Sequence, residues 1–500
     1  MPPKHPTPPA TRRHDHGPYP AHPPGRGRDR REPPAGQEAH RAHHHDPGPQ
    51  DQPMTGGGPA GLTGLDEQRR AWVTDAWRHI TTDRLRELII GLVDVPSPTG
   101  DEGPLAAHIA DTLGSAGCDA RVQPVDDRQA NAWARLTGDG TGPDLMLYAP
   151  IDTLTVGEES EDVPWIGPEL RDDMRPRATV HGDLVTGLGA SNPKGHAACV
   201  MMAAEAIRQS GVPLTGDLVA AFGAGGMPTN ARPGGVRYNT GQGVGCSFLL
   251  EQGVWTDYAV IAKPGWTVSW DEVGLVWFEV TVPGLHTYVG SRHRLPYDNA
   301  IANAGTVALR LEEWFEKYAL RHTGGTVAPQ GVVASVRGGW PRMAATTPAA
   351  CTLRVDLRIG PDTTPMRAKR EFLAAVDAIR EDTGIDVTAE MILAIPGTRT
   401  DPDSWVCRSA IAGWEALEDR PHEVIRGNSG ATDANILRGR GVPTVRIGMP
   451  KVADAPFEID FARGMNTVDV RAMERLTRHL VRTALDTVTR TRDEVEGEPS

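Results

Sequence analysis

An α/β fold interrupted by an inserted α+β unit is the architecture this sequence predicts, and three observations carry it. Short apolar strands alternate with helical segments before residue 262 and again after residue 402. Between them, a β-α-β-β-α-β order runs from about 273 to 392, the ferredoxin-like arrangement. The strands of the outer region end in Gly- or Pro-rich loops, where a parallel sheet carries its functional residues.

Taken in order, Asp83–Val93 has helical spacing of Leu85, Leu88, Ile89 and Leu92, with Thr82 as candidate N-cap, and stops before Pro96-Ser97-Pro98. Gly103–Gly117 reads as a second helix capped by Thr99 or Asp101. Asp144–Ala149 is a short apolar strand ending at Pro150. The Gly-rich loop 187–195 opens an apolar helix over 196–209; Asp217–Phe222 and Tyr258–Ala262 are buried strands. The middle supplies strand Val273–Val282, helix 298–317, strands 331–338 and 350–359, helix 364–382 and strand 386–392. Helix 402–416, strand 443–447 and helix 470–489 resume the first style. The expected organisation is a tail over 1–68, an α/β body in two parts, 69–267 and 395–490, an inserted lid over 268–394, and a second tail over 491–500.

Composition narrows the function classes. The 500 residues are 39% hydrophobic and 23% charged, as in globular proteins. A net charge of −13 argues against nucleic-acid binding by bulk electrostatics. No run approaches the length of a membrane span, and the first residues lack the apolar core of a secretory signal. The five cysteines are far apart and contain no C-x-x-C, so a reducing cytoplasm is expected, and Cys199 and Cys246 lie on apolar elements as core residues. Residues 1–60 hold 15 prolines and eight histidines and little that packs, so they read as disordered; His43-His44-His45 there reads as a solvated run or, alternatively, a metal-binding tract.

Several segments match, in order, a known pattern. They are Leu147-Tyr148-Ala149-Pro150-Ile151-Asp152-Thr153, the loop from Gly187 to Gly195, strand 217–222, and Asp257–Pro264. Pro283-Gly284-Leu285-His286, Asp298–Ile301, Arg354-Val355-Asp356-Leu357-Arg358 and Gly430-Ala431-Thr432-Asp433-Ala434 follow. Together these resemble the zinc-dependent amidohydrolase and peptidase family of glutamate carboxypeptidase, aminoacylase, acetylornithine deacetylase and succinyl-diaminopimelate desuccinylase, over about 82–490. The resemblance implies a zinc-peptidase-like α/β catalytic domain with a ferredoxin-like lid (dimerisation) domain, and possible pairing of two copies through that lid.

The departures are as informative as the matches. By the resemblance, two zinc ions would be held by two histidines and three carboxylates, with a further glutamate as base. Here the first histidine is Pro150, the bridging aspartate Asn192, and the glutamate before proline Lys263. The Glu-Glu pair falls in Gly223–Met227, and the final histidine aligns with Arg463. Zinc requires imidazole, thiolate or carboxylate, so no dinuclear zinc site, and no other cofactor, is expected. His181 and His196 are conceivable replacement ligands.

What remains suggests a cleft turned cationic. Lys263 and Arg463 are expected in the space of the metal charge with Asp152 as counter-ion, binding a carboxylate or phosphate or stabilising an oxyanion; alternatively Lys263 merely fills a vacated site. The resemblance gives His286 the part of a lid histidine donating to the reacting carbonyl, and assigns Gly430, Thr432 and Asp433 to the cleft lining. Asp433 is also an N-cap candidate, and Asn299 a cap of the lid helix. Asn192 and Arg358 are candidate substrate contacts, Arg358 either gripping a carboxylate or lying on a solvated face. Only Thr346 or Thr347 stands where the family's lid carries an asparagine before proline. Ser191 with Lys194 three residues on is a candidate nucleophile–base pair. Three functions follow: a zinc-independent enzyme acting on an amide or acyl-amino-acid-like substrate, by hydrolysis or amide formation; an inactive relative binding a small ligand or protein; or an ordinary metallohydrolase with unrecognised ligands. The first is favoured, with a small-molecule partner and neither nucleic acid nor membrane.

Overall fold

The computed structural model describes residues 61–230, 237, 239–452 and 454–496. The Pro/His-rich segment 1–60, with its His43–His45 run, and residues 497–500 lie outside them. Order begins earlier than expected. Leu62 and Leu65 are buried, and a helix spans Glu67–Trp77. At the other end, Arg492–Glu496 forms a helical turn within the expected tail, its Arg492 pairing with Asp257 at 2.9 Å.

The body is built on a seven-stranded sheet. Its order is 119–124, 130–136, 218–223, 145–150, 258–262, 444–447 and 268–269. The four strands Leu218–Gly223, Leu145–Pro150, Tyr258–Ala262 and Thr444–Ile447 are mutually parallel, and those flanking them antiparallel. Almost every residue in the parallel strands is buried, because helices cover both faces. Alternation along the sheet divides the core. Leu145, Leu147 and Ala149 face the helices 82–93, 194–210 and 470–488; Met146 and Tyr148 face the 244–251 and 434–439 side.

The lid is a four-stranded antiparallel sheet in the order 331–338, 350–359, 274–283, 388–395. Helices Ala300–His322 and Pro365–Thr383 cover one face, and strand Ala350–Ile359 alternates buried and half-buried residues accordingly. The α/β body with an inserted ferredoxin-like α+β unit is therefore observed. No helix among the described residues is long and apolar enough to cross a membrane.

Several helix starts or caps differ from expectation; the helix expected from 402, for one, begins at Trp405. The first cap is Thr81, whose side chain accepts from Arg84 N, because the helix begins at Thr82 itself. Neither Thr99 nor Asp101 caps helix Gly103–Ser115: the Thr99 hydroxyl donates to Asp152 and Asp101 pairs with Arg128. The helix after the Gly-rich loop starts at Lys194, since Pro193 fits the position before a first turn and leaves no N–H unpaired. Asn299 does cap the lid helix, accepting from Ile301 N at 3.0 Å.

Candidate functional site

The carboxyl ends of the parallel strands converge on one crevice, where an open α/β sheet binds its ligands. Strand 145–150 delivers Pro150 and Asp152, strand 218–223 the backbone of Gly225–Met227, and strand 258–262 Lys263. The loop before helix 194–210 brings Asn192, and the start of helix 434–439 brings Asp433.

Lys263 is buried, 5% exposed, and its Nζ donates to Asn192 Oδ1 at 3.2 Å. Two positions where the resemblance expects cation ligands thus bind each other. Burial pushes the Lys263 amine down from its ordinary pKa, against the pull of Asp433, Asp152 and Glu272; Arg446 adds to the depression. None of those three carboxylates forms an ion pair with Lys263 within 4.0 Å among the described residues.

Asp152 is not the direct counter-ion expected. Its carboxylate is fully buried and takes donors from Thr99 Oγ1 at 2.6 Å, Gly226 N at 2.7 Å and Met227 N at 3.0 Å. Burial raises its pKa, and these donors with Lys263 oppose the rise. Beside it, Glu102 accepts from Gly225 N at 2.9 Å, Gly100 N at 3.1 Å and Gln129 Nε2 at 3.3 Å, while its Oε2 is buried with no partner among the described residues. Burial and the Asp152 charge push Glu102 up to about 8.

Asp433 occupies the N-cap position of helix 434–439, but its side chain makes no capping bond. It accepts from the Tyr148 hydroxyl at 2.6 Å instead, because Tyr148 points from the sheet into the same buried space. Burial pushes Asp433 up to about 7, opposed by the Tyr148 bond and Lys263. The close approach needs Gly226: a Cβ there would collide with Pro150 and stand 2.8 Å from Asp433 Oδ2.

The second cation of the cluster is Arg446, not Arg463. Arg446 is buried on strand 444–447 and pairs with Glu272 at 3.5 Å. Glu272 also accepts from Thr432 N at 3.0 Å and Thr432 Oγ1 at 2.5 Å. Arg463 turns away to Glu458 O at 2.9 Å and Asp173 at 3.8 Å and lies over the Phe457 ring. Neither Glu272 nor Arg446 belongs to a matched motif; Trp270-Asp271-Glu272 before the lid strand and the lone arginine in Thr444–Ile447 were the available signals. The cleft therefore sets Lys263 and Arg446 among three buried carboxylates, Asp152, Asp433 and Glu272, and the cationic character expected from the substitutions alone does not describe it.

The remaining candidates are dispersed. Lys194 turns its Nζ to Val95 O at 2.8 Å, and no Ser191–Lys194 hydrogen bond forms among the described residues; burial brings this amine down to about 7. Ser191 spends its backbone on Met465 O and His196 Nδ1. His196 is engaged inside the fold: Ser191 O meets Nδ1 at 2.8 Å, Met449 N approaches Nε2 at 3.4 Å, and burial lowers it to about 3. His181 lies exposed on strand 179–181. Arg358 is spent on Asp356 at 2.8 and 2.9 Å, on the lid-sheet face away from the helices. Exposed His286 is pinned through Nδ1 to Thr347 O at 2.9 Å, at the wall of a lid cavity of about 450 Å³ that includes Thr346 and Trp340. Gly430 stands at the open rim, its N–H on Asn428 Oδ1 and a Cβ position 3.7 Å from Arg446.

No family model matches the sequence. Solved structures do resemble the fold. Human carnosine dipeptidase 1 superposes with a TM-score of 0.62 over 86% of this chain and 100% of its own, at 14% identity. The M20 family metallo-carboxypeptidase Sso-CP2 from Sulfolobus solfataricus gives 0.58 over 80% and 98%, at 14% identity. Aminopeptidase PepT from Bacillus cereus gives 0.58 over 82% and 99%, at 15% identity. The chain has the fold of the M20 metallopeptidases.

Proposed function

We propose that this chain is a metal-free relative of those peptidases that binds a small amide- or carboxylate-bearing molecule, of acyl-amino-acid type, without hydrolysing it through zinc. The observation that carries the reading is the Lys263–Asn192 hydrogen bond inside the strand-end crevice. Pro150, Asn192, Gly226 and Lys263 do not fit a zinc ion: none offers an anionic or imidazole donor, and an ammonium repels a cation. The remaining carboxylates are spent on backbone N–H groups, Tyr148, Thr432 and Arg446. The serine, lysine and histidine candidates for catalysis are not assembled around one reacting atom. Binding falls to Thr432, Arg446 and the open rim at Gly430. The lid edge strand 331–338, with exposed Val332 and Val336, is the surface for a second copy. All five cysteines are free and buried, which fits a reducing cytoplasm.

Metal analysis of the purified chain, followed by calorimetric titration with acyl amino acids and dipeptides, tests the reading. Sub-stoichiometric zinc with saturable binding and no turnover is expected. Two zinc ions per chain with dipeptide hydrolysis would overturn it. One observation favours a second reading: Asp433 is buried in the crevice on the Tyr148 hydroxyl at 2.6 Å, and burial pushes its carboxyl up to about 7, which suits proton transfer at neutral pH. Turnover by zinc-free protein that disappears in Asp433→Asn would select metal-free amide chemistry instead.

A further inference from the structure

Between helices 405–418 and 434–439 runs a body segment whose end carries Gly430, Thr432 and Asp433 into the crevice. It forms no helix or strand of its own beyond a single bridge, and that bridge is made with the lid. Lid loop 323–330, between helix 300–322 and strand 331–338, lies along body residues 426–429. Thr326 O accepts from Gly427 N at 2.9 Å and Asn428 N at 3.4 Å, and Ala328 N donates to Asn428 O at 3.0 Å, so that Val327 and Asn428 pair in parallel. Two body side chains reinforce the contact: Arg426 Nη1 donates to Gly325 O at 2.9 Å, and the Ser429 hydroxyl donates to Ala328 O. Val327 and Ala328 are buried.

Side chains carry the contact on to the ligand site. The Thr326 hydroxyl donates to the carboxylate of Asp271, on the linker that enters the lid. The adjacent Glu272 accepts from Thr432 N at 3.0 Å and Thr432 Oγ1 at 2.5 Å and pairs with Arg446 at 3.5 Å. Asn428 Oδ1 accepts from Gly430 N at 3.0 Å, which closes a ring through Thr326, Asn428, Gly430, Thr432, Glu272 and Asp271. Thr326 is the one lid residue of that ring, and it bonds to both other parties, the crevice loop and the linker.

We infer that Thr326 is a positioning residue for the ligand site: from the lid it clamps crevice loop 426–432 to the Asp271–Glu272 linker, so that Thr432 and Arg446 are presented to a ligand only while the lid loop is seated. A loop that must be ordered when the ligand arrives costs affinity, and a loop already held in its binding form avoids that cost. The effect on affinity rests on the proposed function, whereas the clamp is a property of the unliganded chain.

Amide hydrogen exchange of the full, ligand-free chain tests the clamp. Thr326→Val keeps the side chain's shape and the backbone acceptor but removes the hydroxyl, and exchange across 426–433 is expected to quicken at least about tenfold, with helix 300–322 and strand 218–223 unchanged. Thr326→Ser keeps the hydroxyl and is expected to retain wild-type rates. Ser429→Ala loosens the same contact from the body side and is expected to speed both 426–433 and 325–328. Calorimetric titration with acyl amino acids is then expected to show binding about tenfold weaker in Thr326→Val and restored in Thr326→Ser. Exchange across 426–433 that stays at wild-type rates in both folded Thr326→Val and folded Ser429→Ala overturns the inference, as does quickened exchange with undiminished affinity. Should the wild-type chain bind none of these ligands, the proposed function falls, and the exchange rates alone decide the clamp.

Discussion

Tyr148→Phe removes one hydroxyl from the middle of the sheet and leaves the buried Asp433 carboxyl without its 2.6 Å donor. The cost depends on the charge that donor serves. A hydrogen bond between neutral groups contributes about 1 kcal/mol, and one to a charged group about 1.5–3 kcal/mol. Asp433 sits near 7, so at pH 6 it is mostly protonated and the substitution costs about 1 kcal/mol. At pH 8 the carboxylate is bare, and the cost rises to about 2–3 kcal/mol. The sign follows from proton linkage. Between 3.8 and about 7 the folded chain retains a proton that the unfolded chain releases, so this group's contribution to stability falls as pH rises through that window. Phenylalanine removes a bond that favoured the charged form, raises Asp433 further and extends the fall to higher pH. Urea unfolding of both proteins at pH 6 and pH 8 gives the four stabilities required, and a background of Asp433→Asn is expected to abolish the pH dependence of the loss. Equal losses at the two pH values, or none at either, would refute the reasoning.

Glu102→Gln replaces a carboxyl that burial and Asp152 push up to about 8 with a neutral amide of the same shape. Native Glu102 keeps a proton that the unfolded chain gives up above 4.5, so wild-type stability declines through 4.5–8, and the variant's urea midpoint is expected to decline less over that range. Lys194→Met removes a buried amine lowered to about 7, which disfavours the fold increasingly as pH drops from 10.5 towards 7. Thermal unfolding is therefore expected to show the variant gaining about 2–3 kcal/mol over the native chain between pH 9 and pH 7, with no further gain below pH 7; an advantage that does not grow as pH falls from 9 to 7 would contradict the burial argument.

Much of the fold was legible because its strands are either continuously apolar, as Leu145–Pro150, or strictly alternating, as Ala350–Ile359. Strand Asp119–Pro124 was not, because it is an edge strand with mostly exposed residues and no period to read. The same division holds at the site. Asn192 and Lys263 stand at loop and strand ends, and their meeting was within reach of motif matching. The Tyr148–Asp433 bond was hidden, since it depends on which face of a fully buried strand each residue takes. The Ser191–Lys194 spacing misled for a physical reason: three residues share a face only inside a helix, and this helix begins at Lys194. Arg463 was chosen by its place in a motif, whereas Arg446 reaches the cluster through parallel pairing with strand 258–262.

Helix Val470–Val488 is enclosed on nearly all sides, packing on helices 67–77, 82–93, 194–210 and 405–418. Arg482 from its middle reaches the carbonyls of Gly61 and Thr63 at 3.0 and 2.8 Å, and Trp77 donates to Arg478 O at 3.0 Å. During synthesis this imposes a schedule. Helices made first expose their apolar sides until residue 488 has left the ribosome, whereas the lid closes its own core within residues 274–395. The lid is expected to fold on the ribosome while the body waits, which makes the unfinished body the natural client of a chaperone and the stretch beyond 470 the segment whose truncation is least tolerated.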